Sequence, residues 1–341
     1  MATLSTRATG TSIPISATYV SVRRSSLLFL TLGSFAMGTV LANMGTRSWR
    51  RIQRYMESRR SNGGRRPVIV CFGDSITQGG HSPEYVGWMG RLEDFYGRKA
   101  DVLNRGFSGY NTDWLCRMLN DLFLRLFRRR PPALVTIWVG ANDATVESST
   151  QHVPLWKFKQ NLEKMVRFFR RLGRRDRKVA VLLITPPPLH EADWLASLRS
   201  STPSALPDRS FARTYAYAQA VKEVGQTLRT PVVDMHAALE GGQDEDRGEE
   251  GVPPPGEAYR GYLSDGLHLN FKGNKKAFEA IIEGIKNNFP WLDPINLEMQ
   301  GPAWETLRSA YLDEAEGGVE GGGECAITLY SSKSSIILNS D

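Results

Sequence analysis

Apolar positions along the chain follow two alternating rhythms. Short uninterrupted runs at Val68–Phe72, Ala133–Val139, Val179–Ile184 and Val232–Met235, with a weaker one at Asp101–Asn104, are rich in β-branched residues and almost free of charge. Such runs suit strands buried on both faces of a parallel sheet. Between them apolar residues recur at helical spacing: Tyr85, Trp88, Met89, Leu92, Phe95 and Tyr96 within Glu84–Lys99, then Thr112–Phe127, Pro154–Leu172, Phe211–Leu228 and Lys272–Phe289. Thr112 is placed to cap the second helix, and Arg128-Arg129-Arg130-Pro131-Pro132 to end it. Strands alternating with helices predict an α/β fold with a parallel sheet covered on both sides. Two stretches break the rhythm. Pro186–Pro207, with Trp194, follows the fourth strand at the edge where ligands sit and is expected to wall a pocket. Gly241–Pro255, acidic and proline-rich, reads as a mobile surface loop.

Charge and composition bear on the chain ends. The formal net charge of +7 suggests an anionic partner, but residues 1–66 hold eleven arginines, no lysine and a single acid, Glu57. That leader carries +10, leaving −3 for everything after it. A nucleic-acid role for the body therefore loses its main support. Within the leader, Leu27–Ala42 is apolar and small, with Arg23 and Arg24 before it and eight arginines between Arg47 and Arg66 after it. Three readings stay open: a mitochondrial or organelle-membrane targeting segment, an uncleaved anchor elsewhere holding the body on the arginine-rich side, and a secretory signal. Ser61-Asn62-Gly63-Gly64 then links the leader to the domain. From Asp313 the chain turns to Gly, Glu and Ser, and residues 313–341 are expected to be a disordered tail. Three widely spaced cysteines, Cys71, Cys116 and Cys325, supply neither a disulfide framework nor a Cys-x-x-Cys zinc site.

The first strand stops at Gly73-Asp74-Ser75-Ile76-Thr77. Gly73 is expected to let the backbone turn sharply, and Ser75, at the carboxyl end of a parallel strand, is a candidate nucleophile. Taken alone, Gly-Asp-Ser reads first as an ordinary strand-to-helix turn. A nucleophilic serine also needs a base, a group to orient that base, and donors for an oxyanion. Of five histidines, His268 has a carboxylate close by, in Ser264-Asp265-Gly266-Leu267-His268. Asp265 can equally be a helix-capping residue. His81, His152, His190 and His236 lack such company and read as surface or loop residues, His236 being the candidate for burial. Two further glycine turns follow strands, at Arg105-Gly106-Phe107-Ser108-Gly109 and Gly140-Ala141-Asn142-Asp143. Parallel strands bring such ends side by side, so the Ser75 hydroxyl, the Gly109 N–H and the Asn142 amide can converge. No zinc motif, phosphate-binding loop or dinucleotide fingerprint appears, so no metal and no cofactor is expected.

In order and spacing, Gly73-Asp74-Ser75-Ile76-Thr77, the Gly106–Gly109 turn, Gly140-Ala141-Asn142-Asp143 and Asp265-Gly266-Leu267-His268 resemble the four blocks of the SGNH, or GDSL, hydrolases. The likeness covers about residues 67–290, with Ile76 where the GDSL name has leucine. Arg105–Thr112 with Trp114, Gly140–Ala144 and Val153-Pro154-Leu155 look like the isoamyl acetate-hydrolysing esterase branch, whose terminal extension Trp291–Tyr311 with Trp304 also resembles. The resemblance implies a flavodoxin-like three-layer α/β/α sandwich with a parallel five-stranded sheet, and a segment 291–312 packed on the catalytic domain. It implies Ser75 as nucleophile, Asp265 and His268 completing the triad, and Ser75 N–H, Gly109 N–H and Asn142 as oxyanion donors. The expected reaction is hydrolysis of small or short-chain acyl esters through an acyl-enzyme. The alternatives are a lipid acylhydrolase such as a lysophospholipase, associated with a membrane through the leader, and a non-catalytic membrane-attached binding protein. The oligomeric state is not readable from the sequence.

Overall fold

In a computed structural model, the structure describes residues 66–127, 130–173, 178–240 and 258–309. The leader to residue 65, the acidic loop at 241–257 and the tail from 310 lie outside the described residues. So do the readings of targeting, anchoring and disorder made for them. Among the described residues no helix is long and apolar enough to cross a membrane. Ser58–Pro302 forms one compact unit; residues 303–309, with Trp304, fall in a second.

Five strands, β1 (Val68–Gly73), β2 (Asp101–Gly106), β3 (Leu134–Trp138), β4 (Ala180–Ile184) and β5 (Val232–Val233), form one sheet in the order β2-β1-β3-β4-β5, all parallel. Helices on both faces complete the three-layer α/β/α sandwich. Every residue of β1 and β3 is buried, which is why their runs lack polar alternation. One face packs on α2 (Trp88–Phe95) and α8 (Phe271–Asn288). The other packs on α3 (Thr112–Leu119), α4 (Leu155–Leu172) and α6 (Phe211–Leu228). On that second face Phe72, Phe123 and Phe169 form a closed triangle of edge-to-face rings, with centroids 4.9–5.5 Å apart. Residues beyond the last helix return to the body: Tyr96 Oη donates to the Leu292 carbonyl at 2.8 Å, and Arg98 reaches the carbonyls of Gln300, Gly301 and Pro302.

Several elements differ from the sequence expectation, each for a local reason. The helix predicted from Glu84 begins only at Trp88, because Val86 is left-handed (φ 44°) and the Gly87 N–H closes a turn onto the Ser82 carbonyl. Asn111, not Thr112, caps α3: its side chain accepts the Trp114 N–H, while the Thr112 hydroxyl donates to Asp143. The same helical run continues to Phe127 through a π turn at Asn120–Leu124. β5 ends at Val233 because the Asp234 carboxylate accepts the Ala237 N–H and starts α7 (Met235–Glu240). Pro186–Pro207 contains a helix, α5 (Glu191–Ser201), that buries none of its residues and so leaves no apolar period to detect. His190 is a further correction: it is buried at the start of α5, with its Nδ1 2.9 Å from the Asp193 carboxylate. His236 is buried as well.

Phe169 is fully buried and is one of the three rings of the triangle. Phe169→Ala is therefore expected to cost about 3–5 kcal/mol of stability, read as a lowered urea midpoint; a midpoint within error of the parent would mean that the rings do not pack as described.

Candidate active site

The site lies where the strand order reverses. β1 runs between β2 and β3, in register from Gly73↔Gly106 on one side and Gly73↔Trp138 on the other, so three loops leave the sheet together. The helices that follow β1 and β3 depart toward opposite faces, which opens a crevice there. Ser75 is the first residue of a short helix, α1 (Ser75–Gln78), capped by Asp74, whose side chain accepts the Ile76 N–H at 3.0 Å. An N–H in a helix's first turn has no intrahelical acceptor, which leaves that of Ser75 available. Gly73 serves through space rather than through an unusual φ: a Cβ there would sit 2.2 Å from the Trp138 carbonyl oxygen and 2.3 Å from Thr77 Oγ1.

Opposite Ser75, the loop before α8 supplies His268 and Asp265. Ser75 Oγ lies 2.9 Å from His268 Nε2, and His268 Nδ1 lies 2.7 Å from Asp265 Oδ2. The other Asp265 oxygen accepts the backbone N–H groups of Leu267 (2.9 Å) and His268 (2.8 Å). Asp265 is not the cap of α8; Asn270 is, accepting the Gly273 N–H. Burial would raise the Asp265 carboxyl, but the hydrogen bond from the imidazole, the His268 charge and the two backbone donors outweigh it and hold the group below the usual carboxylate value. Gly266 has φ +89°, and a Cβ on it would lie 2.4 Å from the Trp194 nitrogen and 2.5 Å from the His190 oxygen. Only glycine fits the tight loop that turns Asp265 back on His268.

The two other glycine turns flank α1. Phe107–Tyr110 is a turn closed by Tyr110 N–H to the Phe107 carbonyl (3.1 Å), with Gly109 at φ +78°. The turn bond does not use the Gly109 N–H. Gln78 Oε1 accepts the Ser108 N–H at 2.8 Å, tying this turn to α1. Asn142 Nδ2 donates to the Tyr110 carbonyl at 2.9 Å, tying the third turn to the second. Sequence reasoning missed the groups behind these donors. Arg209, buried, donates to Asn142 Oδ1 (3.1 Å), Gln151 Oε1 (3.2 Å) and the Ala141 carbonyl (3.2 Å), and Gln151 Nε2 in turn donates to the Gly109 carbonyl (2.7 Å). A lone arginine in a Pro- and Ser-rich stretch gives no motif by which to find it. Trp194, expected as a wall, stands with its ring centroid 6.2 Å from that of His268.

Two acids beside the serine behave oppositely to Asp265. Burial pushes the Asp74 carboxyl up to about 6, against the Ile76 N–H and the nearby His268 and Arg209 charges. Burial also raises Asp143 to about 7, with the Asp74 charge adding to it and the Thr112 donors opposing it. The thiols of Cys71 and Cys116 are buried and pushed up to about 12, which makes them poor nucleophiles. Among the described residues no cluster of three or more His, Cys, Asp or Glu is arranged to hold a metal.

Residues 71–276 match the model of the GDSL-like lipase/acylhydrolase family. The isoamyl acetate-hydrolyzing esterase 1 homolog of Bos taurus is 37% identical over 233 residues, 67% of this chain and 86% of the bovine protein. A GDSL esterase/lipase of Arabidopsis thaliana is 33% identical over 243 residues, 70% of this chain and 92% of the plant protein. A solved lipase/acylhydrolase from Enterococcus faecalis aligns with a TM-score of 0.49 and 25% identity, over 69% of this chain and 100% of that one. The chain belongs to the GDSL-like lipase/acylhydrolase family. It is a carboxylic ester hydrolase.

Asp143 gives this site a testable pH signature. Its folded pKa, about 7, lies above the ordinary aspartate value of 3.8, so between those limits the folded chain holds a proton that the unfolded chain has lost. Its contribution to stability is therefore full at low pH and falls as pH rises through that window. Asp143→Asn, which keeps an acceptor for Thr112, is expected to match the parent Tm near pH 4, at the foot of that window, and to lose fewer degrees between pH 4 and 7. Superimposable Tm–pH curves would contradict the assignment.

Proposed function

We propose that the chain cleaves small, short-chain acyl esters through a serine acyl-enzyme. The observation that carries this reading is the unbroken chain from Ser75 Oγ through His268 to Asp265, at 2.9 Å and 2.7 Å. Ionised Asp265 accepts Nδ1–H, which leaves the Nε2 lone pair facing the Ser75 hydroxyl. Ser75 attacks the ester carbonyl as His268 takes its proton. The Ser75 and Gly109 N–H groups and the free N–H of the Asn142 amide receive the negative charge that develops on the carbonyl oxygen. The imidazolium then protonates the departing alkoxide, and the alcohol leaves. Water, deprotonated by the same imidazole, releases the acid and restores Ser75. The preference for short acyl groups is supported by the likeness to the bovine protein, whose name records hydrolysis of an acetate ester.

Ser75→Ala is expected to abolish hydrolysis of p-nitrophenyl acetate and labelling by a fluorophosphonate probe while leaving the thermal transition in place; parental turnover would refute the nucleophile. Asn142→Ala should lower kcat by about 10²–10³-fold. Across p-nitrophenyl esters of increasing acyl length, kcat/KM should be highest for acetate and butyrate. A steady rise toward long chains would instead identify a lipid acylhydrolase.

A further inference from the structure

Arg209 has no part in the proton relay, yet its environment is built with more care than a structural cation needs. It is 6% exposed and stands over Trp194, with the guanidinium carbon 4.8 Å from the ring centroid. Each of its nitrogens has an acceptor: Nε the Ala141 carbonyl, Nη1 Asp208 at 2.7 Å, and Nη2 both Asn142 Oδ1 and Gln151 Oε1. Asp208 is itself held by Trp194 Nε1 at 2.7 Å. A buried ion is tolerated when paired and well hydrogen-bonded, and this one is paired with Asp208 and spends four of its five N–H groups on acceptors.

The consequence falls on the Asn142 amide. Its oxygen faces a group that can only donate, and its nitrogen faces the Tyr110 carbonyl, which can only accept. The amide therefore has one orientation, and a flip would oppose like partners at both ends. One N–H of Nδ2 is spent on Tyr110 and the other is left for substrate. A cation bonded to Oδ1 also withdraws electron density from the amide and strengthens that remaining N–H as a donor. The same Nη2 reaches Gln151, which grips the carbonyl of the Gly109–Tyr110 peptide, the unit adjoining the one that carries the Gly109 N–H, and so restrains that turn.

We propose that Arg209 is the positioning residue of the oxyanion site, bracing Asn142 directly and Gly109 through Gln151, so that both donors stand ready before substrate arrives. This rests on the ester-hydrolase reading of Ser75 and Asn142 given above. Preorganised donors act on the charge that develops in the transition state, so the brace belongs in kcat and not in KM.

The test is a double-mutant cycle on the full chain with p-nitrophenyl acetate, using Arg209→Gln, Asn142→Ala and the pair. Arg209→Gln is expected to lower kcat by about 10- to 100-fold, short of the full loss of a donor, with KM within about twofold. In the Asn142→Ala background the same change should cost about threefold or less, the remainder being the Gly109 arm. Arg209→Lys, which keeps the charge and the stem over Trp194 but has one nitrogen for four acceptors, is carried through the same cycle; it should lose less than Gln with the same non-additivity. It also covers the case in which Arg209→Gln shows no cooperative thermal transition. Parental kcat in both Arg209 variants, equal losses with and without Asn142, or a raised KM at parental kcat would each overturn the proposal. An Asn142→Ala variant at parental kcat would sink the oxyanion assignment along with it, whereas a slow Asn142→Ala with additive Arg209 losses would sink the brace alone.

Discussion

Everything at the site depends on β1 being hydrogen-bonded in parallel to both β2 and β3. Because all three strands point the same way, their carboxyl ends form one rim, and the loops that leave them start side by side. The nucleophile turn, the Gly106–Gly109 turn and the Gly140–Asp143 turn are then stitched by side-chain bonds from Gln78 and Asn142. No contact within any one loop could produce this arrangement. It is a property of strand order, and helices packed on both faces hold that order in place.

Around that rim the protein separates its carboxyl groups by what surrounds them. Asp265 is buried but accepts from an imidazole and two backbone N–H groups, and it stays ionised where it must orient His268. Asp74 and Asp143, next in sequence to Ser75 and Asn142, are more deeply buried than Asp265, and desolvation raises both. At neutral pH Asp143, raised to about 7, carries only part of its negative charge. Arg209 adds a cation on the same side, held by Asp208 and covered by Trp194. The electrostatic character of the site thus comes from burial and pairing, not from the number of charges.

The segment between β4 and α6 joins the two halves of the site. From α5 it presents Trp194 to His268, and from its end it presents Arg209 to Asn142. His190, at the start of α5, donates its N–H to the Gly266 carbonyl at 2.9 Å, which ties the segment to the triad loop. A stretch whose composition suggested only a wall is therefore the link between the His268 loop and Asn142.

Sequence alone determined the periodic elements and the chemistry of their ends. Five strands, the helix at Phe211–Leu228 to the residue, and the strand ends that carry Ser75, Gly109 and Asn142 were legible, because short apolar runs and glycine at turns leave local marks. Where a local signal was absent or ambiguous, the reading slipped: α5 has no buried face, Asn111 and Thr112 are both capping types, and Asp234 starts a helix inside what reads as a strand. What only the tertiary structure decided is partnership at long range. Ser75 and His268 are 193 residues apart, and Arg209 and Asn142 are 67 apart. An arginine's reach and a carboxyl's ionisation depend on neighbours brought in by folding, and those neighbours have no fixed spacing for a sequence to display.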